Sequence, residues 1–132
     1  MIQTREPNTL PVVFACAGRS DAAELTWKLA RELDRRGLAE MSCLAGVGAG
    51  KAPFLRKIHN RRVWVIDGCP IECGLGIFAL RDLPIDRHIR LHDLGLRKNH
   101  IDIEHVDLDA LIDRIMQDID NRMDQAVACG II

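Results

Sequence analysis

The chain has five cysteines, Cys16, Cys43, Cys69, Cys73 and Cys129, and their spacing suits chemistry. Cys43 follows Cys16 by 27 residues and Cys69 follows Cys43 by 26, one strand–helix unit each time. Cys73 comes four residues after Cys69, across a predicted helix start. Equal phase in successive units puts Cys16, Cys43 and Cys69 at the carboxyl edge of a parallel sheet, and Cys73 stays at that edge. In open α/β sheets this edge holds the functional crevice. Cysteine is also a common core residue, so any one of these could simply be packing. Core packing, however, gives no reason for a shared phase. Cys129 breaks the phase and is taken as structural or incidental.

Four convergent thiolates in a tetrahedral shell, about 2.3 Å from the ion, form a common structural zinc site. Soft thiolates also suit copper(I) and iron–sulfur clusters, so spacing alone leaves the metal open. A four-thiolate zinc centre carries a charge near −2, which helix N-termini at that edge would offset. Arg19 and Lys51, each just past a predicted strand, could add to this or be solvated surface charges. The alternative is a thiol enzyme, or a redox or sulfur-handling protein, with Cys69 and Cys73 as a reactive dithiol. Cys69 precedes Pro70 at the predicted helix start, where the helix dipole favours a thiolate. His92, beside Asp93, is the nearest candidate base or further ligand, although a lone histidine at a strand end is more often plain surface.

Two other motifs fail on spacing. Gly46-Val-Gly-Ala-Gly-Lys51 has three residues, not four, before its Gly-Lys pair, and Ala52 stands where a phosphate loop needs Ser or Thr. It follows the second strand and lacks a dinucleotide fingerprint's acidic partner. It is taken as a flexible loop that lets Cys43 bend inward, because strands two and three would lie about 10 Å apart. A phosphatase-like loop, Cys followed six residues later by Arg, is absent: Ala22, Ala49, Leu75 and Ala79 occupy those positions.

The elements that must position the thiols alternate. Pro11–Gly18 reads as a buried strand. Ser20 or Asp21 caps a helix with Leu25, Leu29 and Leu33 on one side, stopped by Gly37. Leu38–Gly46 is a weaker strand. Pro53 opens a helix with Phe54, Leu55 and Ile58. The run Val63-Trp-Val-Ile66, within the strand predicted over 62–70, suits a central strand covered on both faces. Pro70 is expected to open the next helix, which carries Ile71, Leu75, Phe78 and Ala79. Arg87–Leu94 is a fourth strand. Asp107–Asp109 starts a last helix, with Leu108, Leu111, Ile112, Ile115 and Ile119 on one stripe.

Strand–helix repeated four times predicts a three-layer αβα fold with a small, mostly parallel four-stranded sheet of order 2-1-3-4, Rossmann-like. The expected division is an N-terminal extension over 1–10, a single α/β domain over 11–125, and an apolar tail over 126–132 that could pack on the domain or support a homodimer.

Composition narrows the function class. At 132 residues there is room for one domain. With Lys plus Arg at 18 and Asp plus Glu at 19, no basic excess exists to neutralise phosphates, so nucleic acid is not an expected partner. A hydrophobic share of 48% supports a core, and 4% aromatic residues argue against stacking platforms for bases. No apolar run reaches membrane-spanning length and residues 1–10 lack a signal-peptide core, so neither membrane nor secretion is expected. An odd cysteine count without that signal points to a reducing cytoplasm.

Val65-Ile-Asp-Gly-Cys-Pro70, followed by Cys73, resembles the central signature of the DGC-domain family, named for the triplet at Asp67-Gly68-Cys69. Phe14-Ala-Cys-Ala-Gly-Arg-Ser-Asp21 resembles the family's first motif, Met41-Ser-Cys-Leu-Ala-Gly-Val-Gly48 its second, and Leu94-Gly95 through Lys98 its last. The resemblance runs from about Pro11 to Ile115. It implies a zinc-binding protein with no established activity and with Cys16, Cys43, Cys69 and Cys73 as ligands. Arg19 stands where some members carry a further cysteine, so four thiols remain. Asp67 is expected to orient the turn behind them.

Overall fold

A computed structural model describes residues 10–128, with side chains through residue 118. Residues 1–9 and residues 129–132, Cys129 among them, lie outside the described residues, while residues 126–128 of the expected tail continue the last helix. In chain order the elements are β1 (Val12–Ala15), α1 (Asp21–Arg35), β2 (Glu40–Met41), α2 (Leu44–Gly48), α3 (Ala52–Ile58), β3 (Val63–Asp67), α4 (Cys73–Leu80), β4 (Arg87–Arg90), a 3-10 turn (Leu91–Leu94) and α5 (Leu108–Ala128). The four strands form one parallel sheet in the anticipated order β2-β1-β3-β4.

The alternation of strand side chains builds two apolar layers. Val13, Ala15, Trp64 and Ile66 face Leu25, Leu29 and Leu33 of α1 and Ile112 and Ile115 of α5. Val12, Phe14, Val63 and Val65 face Leu44, Val47, Ile58 and Phe78 of α2, α3 and α4. β1 and β3 are buried along their whole length, which is why both read as unbroken apolar runs. No helix among the described residues is long and apolar enough to cross a membrane.

The connections turn opposite ways. From β1 the chain passes over the α1 face to β2. From β2 it crosses behind β1 through α2 and α3 to β3, then continues through α4 to β4. The order therefore reverses between β1 and β3, whose carboxyl ends flank the topological switch point of the sheet.

Several boundaries differ from the sequence expectation. β2 is only two residues long, and the segment expected to finish it forms α2. Leu44 and Val47 are buried there, and a Cβ on Gly46 would sit 2.3 Å from the Phe54 ring, so glycine at this site lets α2 close on α3. The Gly46–Lys51 stretch is thus a packed helix and a turn at Gly50 (φ 69°), not a flexible loop. Pro70 does not open α4. Residues 69–72 form a turn closed by Glu72 N–H donating to the Cys69 carbonyl (3.1 Å), and the helix starts at Cys73. β4 ends at Arg90, because Leu91 turns into the core and Gly95 ends the 3-10 turn in the left-handed region.

Candidate thiol site at the carboxyl edge

All four expected cysteines lie at the carboxyl edge as free thiols. Cys16 follows β1, and its N–H donates to the Ile66 carbonyl of β3 at 3.0 Å, so the β1–β3 ladder runs on to the thiol. Cys69 lies two residues past β3. These two partly buried thiols flank the switch point, each within electrostatic reach of the other. Cys43 stands at the N-cap position of α2, without a side-chain capping bond, and Cys73 is the first residue of α4, both exposed. Helices α2 and α4 pack together, Ile77 against Gly48 and the Arg81 guanidinium donating to the Gly48 carbonyl (2.6 Å).

The turn that presents Cys16 is built around Thr26 of α1, which is fully buried. Its hydroxyl donates to the Ala23 carbonyl (2.7 Å) and accepts from the Ala17 amide (3.2 Å), and its oxygen lies 3.5 Å from the Cys16 sulfur. Ala17 has a positive φ of 40°, a strained conformation held by that contact. Burial pushes the Cys16 thiol above its ordinary value of 9.0. Hydrogen bonding to Thr26 and the Gly68 backbone offsets this in part, while the neighbouring Asp67 and Cys69 charges add to it.

Behind Cys69 and Cys73 stands Asp67, with 1% of its surface exposed. One carboxylate oxygen accepts the Gly74 amide at 2.8 Å. The other accepts the Leu75 amide at 3.0 Å and meets His88 Nε2 at 2.7 Å. A carboxylate at the end of β3 thus caps α4 from outside the helix and satisfies amides that lack intrahelical partners. Two glycines make the fit possible. A Cβ on Gly68 would meet the Ala22 backbone of α1 at 2.9 Å, and one on Gly74 would come within 2.6 Å of Val65. Arg90 reaches Glu72, the left-handed residue just before α4, at 3.3 Å.

Sequence reasoning singled out His92 and passed over His88 and Thr26. His92 falls in the 3-10 turn, where its Nδ1 is buried without a hydrogen-bond partner and its Nε2 is 3.9 Å from Asp93. His88 sits on β4 opposite Val65, two residues along β3 from Asp67 and so on the same face of the sheet. The signal for it was a buried aspartate needing a donor from the adjacent strand, and that adjacency is known only once the sheet is paired.

The donor set suits a soft metal ion, but its arrangement does not form a preassembled shell. Among the described residues no group of three or more His, Cys, Asp or Glu side chains is positioned to hold one.

The sequence model of the DGC domain matches residues 12–115. A protein of Pseudomonas aeruginosa described as the anaerobic and virulence modulator AnvM is 41% identical over 102 residues, covering 76% of this chain and 77% of its own length. No solved structure shows a significant match to the chain.

Proposed function

This chain belongs to the DGC-domain family, and from that premise we propose that it is a cytoplasmic metal-binding protein whose Cys16, Cys43, Cys69 and Cys73 take up a zinc ion. The observation that carries this is the pair Cys16 and Cys69 at the switch-point crevice, with Cys43 and Cys73 at the starts of two helices packed against each other. Core cysteines have no reason to gather where an open α/β sheet places its ligands. Because the four sulfurs are not pregathered, the exposed thiols Cys43 and Cys73 would have to move toward the partly buried pair to hold the ion with them. Asp67 and His88 hold the first turn of α4 through that movement. The positive end of α1 beside Cys16 offsets part of the thiolate charge. The description of the Pseudomonas aeruginosa relative as an anaerobic and virulence modulator favours a regulatory centre over a turnover enzyme.

Metal analysis of protein purified without added zinc tests this. About one equivalent of zinc is expected, as for a four-thiolate site, with loss on Cys69→Ser or Cys73→Ser. Iron with visible absorbance means an iron–sulfur cluster instead.

A second reading is favoured by the turn over residues 69–72, which joins Cys69 to Cys73 at the start of α4: these two thiols form a reactive pair. Closing a disulfide between them releases two protons and passes two electrons to an oxidant. Metal-free protein in which these two thiols react fastest overturns the zinc assignment and supports this pair.

A further inference from the structure

We infer that the groove between Cys16 and Cys43 binds a small amphipathic anion, in its simplest form a medium-chain carboxylate. The groove has a volume of about 730 Å³, within the range of small-molecule sites. Its walls carry Trp27, Met41, Leu44, Phe54 and Ile77, and among the described residues the only charged side chains lining it are Arg31 and Lys57. Among the described residues no carboxylate lines it, so the lining combines an apolar body with charge of one sign.

The nearby acids are already engaged. Glu40 meets Lys57 and Arg61, both at 2.8 Å, so one carboxylate serves two cations. Next to Arg31 on α1, Glu32 is held by Arg35 and Arg36, and Asp34 accepts the Met41 amide at 2.8 Å. The Arg31 guanidinium lies over the Trp27 ring, 4.7 Å from its centroid. Trp27 is 42% exposed, a large apolar surface left open on an otherwise polar helix face. An alkyl chain would cover Trp27, Met41 and Phe54 while its carboxylate met Arg31 and Lys57. Both attractions act without thiol chemistry, but Cys16 and Cys43 line the same groove, so the titration uses metal-free, reduced protein.

The test is calorimetric titration of the full chain with decanoate below its micellar concentration, alongside decyltrimethylammonium of equal chain length. Saturable one-to-one binding of decanoate is expected, with the cation failing to bind. The double variant Arg31→Gln, Lys57→Gln should raise Kd by about tenfold or more, the worth of two charge-assisted contacts. Trp27→Ala, an exposed position that leaves the core intact, should weaken binding separately. Equal binding of the cationic analogue, no saturable binding, or an unchanged Kd in both variants overturns the inference. So does a concentration-dependent dimer that covers Trp27 and blocks decanoate, because the occupant is then a second copy.

Discussion

At the residue scale the four thiols are not equivalent. Cys43 and Cys73 are exposed, while Cys16 is partly buried and its thiol is held above 9.0 chiefly by burial. Alkylation of reduced, metal-free protein, followed by peptide mass spectrometry, should therefore label Cys43 and Cys73 ahead of Cys16 at neutral pH. Labelling of Cys16 should still be accelerating above pH 9.0, because a raised folded value delays its thiolate. Equal labelling of Cys16 and Cys73 at neutral pH would contradict this. Thr26 governs the same residue from the side. Thr26→Val removes the acceptor for the Ala17 amide at a strained turn and should cost about 1–3 kcal/mol in urea unfolding.

At the scale of elements, the junction from β3 to α4 is where the motif Asp67-Gly68-Cys69 acts. Asp67→Asn leaves a weaker acceptor for the Gly74 and Leu75 amides and for His88. It is expected to destabilise the protein by about 2–3 kcal/mol, the worth of hydrogen bonds to a buried charge. Gly74→Ala drives a Cβ to within 2.6 Å of Val65 and 2.8 Å of the Asp67 carboxylate, and overpacking of this kind costs about 1–3 kcal/mol. Chemical denaturation checks both, and a neutral Gly74→Ala would show that the junction yields easily. The same logic at Gly46, beneath the Phe54 ring, explains why the glycine-rich stretch is a packed helix. Gly46 permits that close approach and Gly50 the left-handed turn that follows.

At the scale of the whole molecule, the segment after the 3-10 turn packs Leu96, Ile101, Ile103 and Val106 on the core, and Asp21 gives it a polar tie to α1. Asp21 accepts the Asn99 amide at 2.8 Å and the Ile101 amide at 3.0 Å, and those bonds, the Asn99 amide foremost, hold its carboxyl below the ordinary 3.8. A lowered folded value means the stabilisation is present above 3.8 and lost as pH falls through the lower folded value. The stability difference between the natural chain and Asp21→Asn, from urea unfolding across acid pH, should therefore shrink toward zero below that range. A difference independent of pH would remove the carboxylate from this role. The sheet order, the two-faced burial of β1 and β3 and the edge on which the cysteines lie could all be read from the sequence. The burial follows from apolar periodicity and the cysteine edge from the phase of strand–helix units, while the order is one that right-handed crossovers on two faces of a parallel sheet allow. The ends of β2 and β4, the late start of α4 and the partnership of His88 with Asp67 could not. They depend on which side chain lies across a strand, or on how much room one helix leaves another at Gly46 or Gly74. Those distances exist only after residues far apart in the chain have packed.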